Sequence, residues 1–379
     1  MKNRILIIGG GIAGLTTALA LQKMNLDFIV LEAVPEIKAV GAGISLAGNA
    51  MRALKKLGVD EEVKRRGHLI SSMIIEDDKG KRISIMDAEK LSREHGLDNV
   101  AIHRADLHQV LLTSIDTNRI VTGKKAIDFS EEPGGITISF DDGSKEQGSA
   151  AIIADGIHSG LRKKLLPGVS PRYSGYTCWR GVVENRWNIQ HHAVETWGSK
   201  GRFGYVPIGN NKVYWFACKN APIKDEMMSL FRISDLVDNF KSYTYPIPEI
   251  LKDTSDADLI LSDIVDLKPI SQYAFNRILL LGDAAHATTP NLGQGACMAM
   301  EDALFVAEEI NRQPENIVSA FKSFEQKRVP RAHYIVNTSF RLGKLAQWEN
   351  PVLAKFRNML FRLIPDWVNE KQVARVLEI

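Results

Sequence analysis

At 379 residues the chain is long enough to bury more than one core, and its net charge of +3 gives no bulk electrostatic case for a nucleic-acid partner. Three cysteines (Cys178, Cys218, Cys297) and nine histidines, two adjacent at His191 and His192, show no metal-ligand or redox spacing. No metal is therefore expected, and sparse cysteines fit a reducing cytoplasm.

Residues 2–8 form a short apolar run suited to a buried parallel strand, and the run breaks at Gly9, too soon for a signal peptide or a membrane span. It enters Gly9-x-Gly11-x-x-Gly14, followed by Leu15, Ala18, Leu19 and Leu21 at helical spacing. In such a turn Gly9 permits the sharp reversal, Gly11 lets backbone approach a pyrophosphate, and Gly14 lets helix and strand pack closely. A second strand, 27–31, ends at Glu32, an acid placed to bind ribose hydroxyls. This first motif alone leaves FAD and NAD equally open.

Further along, 136–140, the turn Asp141-Asp142-Gly143 and 148–154 read as a hairpin feeding Asp155-Gly156. Aromatic-rich runs at 176–184, 193–197, 201–206 and 213–218 predict a mainly antiparallel sheet, which 73–77 and 82–85 are placed to join. Alternation puts Arg202, Gly204 and Val206 on one face of this roof, and Tyr214 and Phe216 together on the next strand. Tyr176 and Arg180 are weaker substrate-facing candidates. A buried strand at 277–281 runs into Gly282-Asp283, and Pro290-Asn291-Leu292-Gly293-Gln294-Gly295 then opens a helix from about 296 to 310. Two glycine-rich sites far apart in the chain indicate one long cofactor gripped at both ends, which points to FAD.

These segments, with Asp155-Gly156-x-x-Ser159-x-x-Arg162 and His103-Arg104-Ala105-Asp106, resemble the single-component FAD-dependent aromatic monooxygenases of the p-hydroxybenzoate and salicylate hydroxylase type. The resemblance implies that Arg104 and Asp155 lie at the cofactor and that Asp283 meets the ribityl chain. It also implies that Pro290, Gly293, Gln294 and Gly295 lie against the flavin ring. A local likeness to the bacterial urate-hydroxylase branch implies that Arg202 and Tyr214 hold the substrate, although that branch carries an acid where this chain has Asn291. Arg202, Tyr214 and Pro290 are thus the catalytic candidates.

The expected fold is α/β: a Rossmann-like FAD-binding domain (1–70, 98–170 and 268–335), an inserted β-rich substrate domain (71–97 and 171–267), and a helical tail at 336–379. The implied activity is hydroxylation of a small aromatic or heteroaromatic substrate through a flavin C4a-hydroperoxide, with NADH or NADPH as donor and O2 as co-substrate. The alternatives are another flavin-dependent reductase or oxidase, or a non-catalytic dinucleotide-fold binding protein. In the tail, Val352, Leu353, Phe356, Met359, Leu360, Leu363 and Ile364 make one apolar stripe. Packing on the body or a second subunit, as monomer or homodimer, is expected ahead of membrane contact.

Overall fold

The computed structural model describes residues 4–37 and 41–377; Lys2 and Asn3 of the expected first strand lie outside them. Ile5–Ile8 is buried at all four positions at the centre of a six-stranded sheet. The strand order is Ala274–Phe275, Ile278–Leu280, Ala150–Ile153, Ile5–Ile8, Phe28–Leu31, Ile120–Val121. All neighbours are parallel except the first pair. Parallel strands need crossovers that cover both faces, and this explains why the strand is apolar throughout rather than alternating. Helix Ile12–Lys23 packs on helix Gly295–Arg312, so the two glycine-rich turns open side by side.

The anticipated hairpin at 136–154 divides between two sheets. Gly135–Phe140 pairs with Lys145–Gly148 and with Ala126–Glu132, while Ala150–Ile153 leaves to join the parallel sheet. The solvated Lys145–Gly148 strand reads as turn because its residues are polar.

The second sheet has seven strands, in the order Ile260–Leu267, Pro171–Glu184, Lys212–Asn220, Gly201–Ile208, His192–Gly198, Ser72–Asp77, Arg82–Asp87. It is antiparallel except where His192–Gly198 meets Ser72–Asp77. Gly201–Ile208 and Lys212–Asn220 are joined through Asn210 and Asn211, both at positive φ, as hairpin twist requires. Trp179, Phe203, Tyr205 and Trp215 point outward under helices Ile233–Phe240 and Ile247–Lys252. The opposite face, with Tyr176, Arg180, Arg202, Tyr214 and Phe216, looks toward the parallel-sheet unit.

One 30-residue helix, Ile317–Ala346, links the two units and is about 45 Å long at 1.5 Å per residue. Glu325 accepts from the backbone of Tyr273 and Ala274 near one end, and the chain just past the other end delivers Gln347 to the roof. The expected boundary at 335/336 falls inside this helix, so the tail begins as its continuation. Helices Pro351–Arg362 and Asp366–Leu377 follow.

Candidate active site

The N-terminal turn is built by sterics. Gly9 sits at φ +111°, and a Cβ there would lie 2.5 Å from the Ala154 carbonyl oxygen. A Cβ on Gly14 would lie 1.9 Å from the Gly9 oxygen, so helix and strand touch backbone to backbone. A Cβ on Gly11 would meet nothing within 4 Å, and Gly11 precedes the helix with no side-chain cap. The first amides of that helix are therefore free to bind an anion.

Glu32 folds back on this turn, its carboxylate accepting from the backbone N–H of Gly10 and of Val34. Arg104 opens helix Arg104–Thr113, and its exposed side chain crosses Gly41. On the same helix His108 Nε2 donates to the Gly10 oxygen at 2.8 Å, tying the Arg104 helix to the glycine turn. Sequence reading missed His108, whose only signal is its place one turn beyond Arg104.

Asp155 follows the strand Ala150–Ile153, and its Oδ1 is buried without a hydrogen-bond partner. Burial pushes this carboxyl up, against the pull of Ser159 and Arg162. Arg162 is fully buried and donates to the carbonyls of Ile157 and Ala284. It thus clamps the Asp155 loop to the Asp283 loop. Gly282, at φ +61°, brings that second loop against Ala13, which would meet a Cβ at 2.8 Å. Asp283 and Pro290 are both exposed. Gly293 lies at φ +62° with open space around it, and Gly295 starts an 18-residue helix with no side-chain cap. Gln294 is buried and accepts from Asn49 Nδ2 at 3.0 Å.

These residues fit FAD. Two uncapped helix starts lie together, with Gly11 and Gly293 leaving room for backbone approach, and the buried Asp155 Oδ1 is an acceptor without a donor.

Behind the Asp283 turn, His286 pairs with Asp302, which also takes Arg328, while Glu301 takes Arg328 and Arg331. Burial alone raises the Asp302 carboxyl, but Arg328 and His286 outweigh it and hold it below the usual aspartate range. The network anchors the turn to both long helices.

On the roof, Arg202 and Tyr214 share a face but do not meet. Arg202 is opposite Cys218, whereas Tyr214 is opposite Val206, an offset of about 13 Å along the strands. Arg202 is buried, donating to Gln347 Oε1 at 2.6 Å and to Glu195 Oε1 at 3.0 Å, and it lies over the Tyr176 ring. Tyr214 instead has Arg180 diagonally across from it on the neighbouring strand, where the guanidinium donates to Ser262 Oγ. Arg180, rather than Arg202, is the arginine beside Tyr214. Burial pushes the Tyr214 hydroxyl well up, against the neighbouring Arg180 charge, so it remains a donor. Tyr214 rests on Gly43 of the parallel-sheet unit, where a Cβ would lie 2.4 Å away. Val206, Ile70 and Ala101 form an apolar cluster packed beside it. Among the described residues no group of histidine, cysteine and acidic side chains is arranged to hold a metal.

A family model described as an FAD binding domain matches residues 2–339. The chain is 39% identical over 361 residues to the aurachin C monooxygenase/isomerase of Stigmatella aurantiaca, covering 95% of this chain and 94% of that protein. It is 32% identical over 367 residues to the 2-heptyl-3-hydroxy-4(1H)-quinolone synthase of Pseudomonas aeruginosa, covering 96% and 94%. Among solved structures, Klebsiella pneumoniae HpxO complexed with FAD and uric acid superposes with a TM-score of 0.91 at 27% identity, covering 99% of this chain and 96% of that one.

Proposed function

The chain belongs to the FAD-dependent aromatic monooxygenases, with FAD as its cofactor, and from that premise we propose that it hydroxylates the ring of a 4-quinolone carrying an alkyl tail. The donor is NADH or NADPH and the oxidant is O2. One oxygen atom enters the ring and the other leaves as water. FAD, when bound, supplies the reduced ring that activates oxygen.

The observation that carries this reading is the placement of Arg180 diagonally across from Tyr214, beside an apolar cluster on the roof face that looks toward the glycine-rich loops. A polar head and an aliphatic tail need both surfaces side by side. The Pseudomonas relative, a 2-heptyl-3-hydroxy-4(1H)-quinolone synthase with a heptyl chain on a quinolone ring in its name, supports the same pairing. The Arg180 charge favours an anionic, more nucleophilic ring, and the Tyr214 hydroxyl orients it by donating a hydrogen bond. Arg202, held by Glu195 and Gln347, acts as a positioning residue through Tyr176.

Toward the cofactor, the turn that Gly9 and Gly14 shape would receive the pyrophosphate at Gly11, Glu32 would take the ribose, and Arg104 and Asp155 would flank it. Asp283 takes the ribityl chain, and Pro290, Gly293, Gln294 and Gly295 face the flavin ring. The uncapped helix start at Gly295 favours negative charge on the reduced ring by roughly 0.5–2 kcal/mol. Residues 1–70, 98–170 and 268–335 make up this cofactor unit, and 71–97 with 171–267 the substrate unit.

The test is aerobic NAD(P)H oxidation by the FAD-loaded protein with 2-alkyl-4-quinolones, simple phenols and purines. Stimulation by the quinolones alone, with oxygen uptake and a product heavier by one oxygen atom, is expected. Bound flavin with no stimulation would favour a reductase or oxidase, and a colourless protein a non-catalytic scaffold.

A further inference from the structure

We propose that helix Pro351–Arg362, with the start of the helix that follows it, docks the protein on an anionic lipid surface. The apolar stripe of this tail does not pack on the body of its own chain. At 100° per residue, Val352, Leu353, Phe356, Met359, Leu360 and Leu363 fill one arc of about 120°, with no polar residue inside it. This arc points away from the protein, each of the six side chains being 45% to 73% exposed. Trp367 stands 66% exposed at the start of the next helix. Single exposed apolar side chains are ordinary, but a continuous apolar helix face is not.

The opposite face is locked. Arg357 is buried, donates to the carbonyls of Leu345 and Ala346, and lies over the Trp197 ring, which Phe361 meets edge-on. Arg362 pairs with Asp77 of the roof sheet. The helix cannot roll to hide its stripe without unpairing these buried groups. The stripe is therefore a designed outer surface in this conformation.

Charge selects the occupant. Lys355 flanks the arc and Lys371 follows Trp367; both are exposed, and among the described residues neither makes an ion pair. A hydrocarbon layer rimmed by anionic headgroups matches an apolar arc with cationic edges, and tryptophan favours the boundary between them. No helix of the described residues is long and apolar enough to cross a membrane, so the contact is made in the plane of the interface.

The experiment is flotation of the full-length, FAD-loaded protein with vesicles of phosphatidylcholine alone and of equal parts phosphatidylglycerol and phosphatidylcholine. Binding is expected on the anionic vesicles and should weaken as salt is raised. The double variant Lys355→Gln/Lys371→Gln should bind more weakly by roughly fivefold per charge removed. Phe356→Ser/Leu360→Ser should abolish flotation while retaining flavin absorbance and turnover, which shows that it is folded. Absence of flotation at low salt, or flotation unchanged in the serine variant, would overturn the proposal. So would light scattering showing a homodimer that the serine variant dissociates, with no vesicle binding. None of these outcomes depends on the substrate being a quinolone.

Discussion

The Tyr176 hydroxyl donates to Asn291 Oδ1 at 3.1 Å, so the roof sheet is hydrogen-bonded directly to the turn that begins at Pro290. Asn291 is saturated: its Nδ2 also donates to Thr289 Oγ1 at 2.8 Å and to the Ser339 carbonyl at 3.0 Å. Burial pushes the Tyr176 phenol well above its ordinary range, so it stays protonated and able to donate. Asn291→Asp keeps the acceptor but strips two acceptors of their donors. The expected cost is about 1–3 kcal/mol, read as a lower thermal midpoint than that of Tyr176→Phe, which gives up only one hydrogen bond.

Arg202 is predicted to matter for stability before affinity. Removing it leaves Glu195, a quarter exposed, beside the buried cavity it vacates. Arg202→Ala should lose about 3 kcal/mol, the low end for breaking a buried pair. Glu195→Gln in the same chain should recover part of that loss. Equilibrium urea unfolding of the single and double variants provides the measurement. If Arg202 held substrate, the recovery would fail to restore turnover.

Arg180 is predicted to matter for the substrate. Arg180→Met should leave FAD bound and lower kcat/KM by roughly 10- to 100-fold, the scale of one charge-assisted hydrogen bond. Tyr214→Phe should act in the same direction and less strongly. Because burial raises the Tyr214 phenol, the pH profile should show no loss of activity from its ionisation through the neutral range. A basic limb near pH 8 that disappears in Tyr214→Phe would contradict this assignment.

The Asp302 network gives a pH prediction. Its carboxyl is depressed in the folded protein, so its contribution is complete above the ordinary aspartate pKa of 3.8 and is lost as pH falls through the folded value. Thermal midpoints measured downward from pH 5 should therefore fall less steeply in Asp302→Asn than in the parent. The variant should also be weaker at neutral pH by about 3–5 kcal/mol, since Arg328 and His286 lose their buried partner.

The glycine turns were legible because their constraint is local: a backbone contact at Gly9 or Gly14 excludes every side chain, whatever the rest of the chain does. Strand alternation likewise grouped Gly204 and Val206 with Arg202, and Phe216 with Tyr214. What it did not contain was the register between strands, set by long-range pairing, which separates Arg202 from Tyr214 and puts Arg180 beside Tyr214. Strand Ile260–Leu267 was hidden by its acids, although Asp266 is fully buried because Arg172 pairs with it across the sheet. In the tail, periodicity found the stripe but not its direction. Arg357 reads as a solvated charge and is in fact the side chain that seats the helix.

Gly11 and Gly14 separate folding from cofactor binding within three residues. At Gly14 a methyl group would lie 1.9 Å from a backbone oxygen, which no side-chain rotation relieves. Gly14→Ala should therefore destabilise the protein even without flavin, by at least the 1–3 kcal/mol or so of an overpacked core. Gly11 has an extended backbone, φ −76° and ψ −175°, that alanine adopts freely, and nothing lies within 4 Å of the added carbon. Gly11→Ala should leave the flavin-free midpoint within about 0.5 kcal/mol of the parent. Where a pyrophosphate must approach the same backbone, the methyl group occupies its path, and FAD affinity should fall roughly tenfold or more, about 1.4 kcal/mol. Midpoints with and without FAD, together with flavin fluorescence titration, distinguish the two variants. Equal effects on both measurements would mean that Gly11 serves packing and that the anion site lies elsewhere.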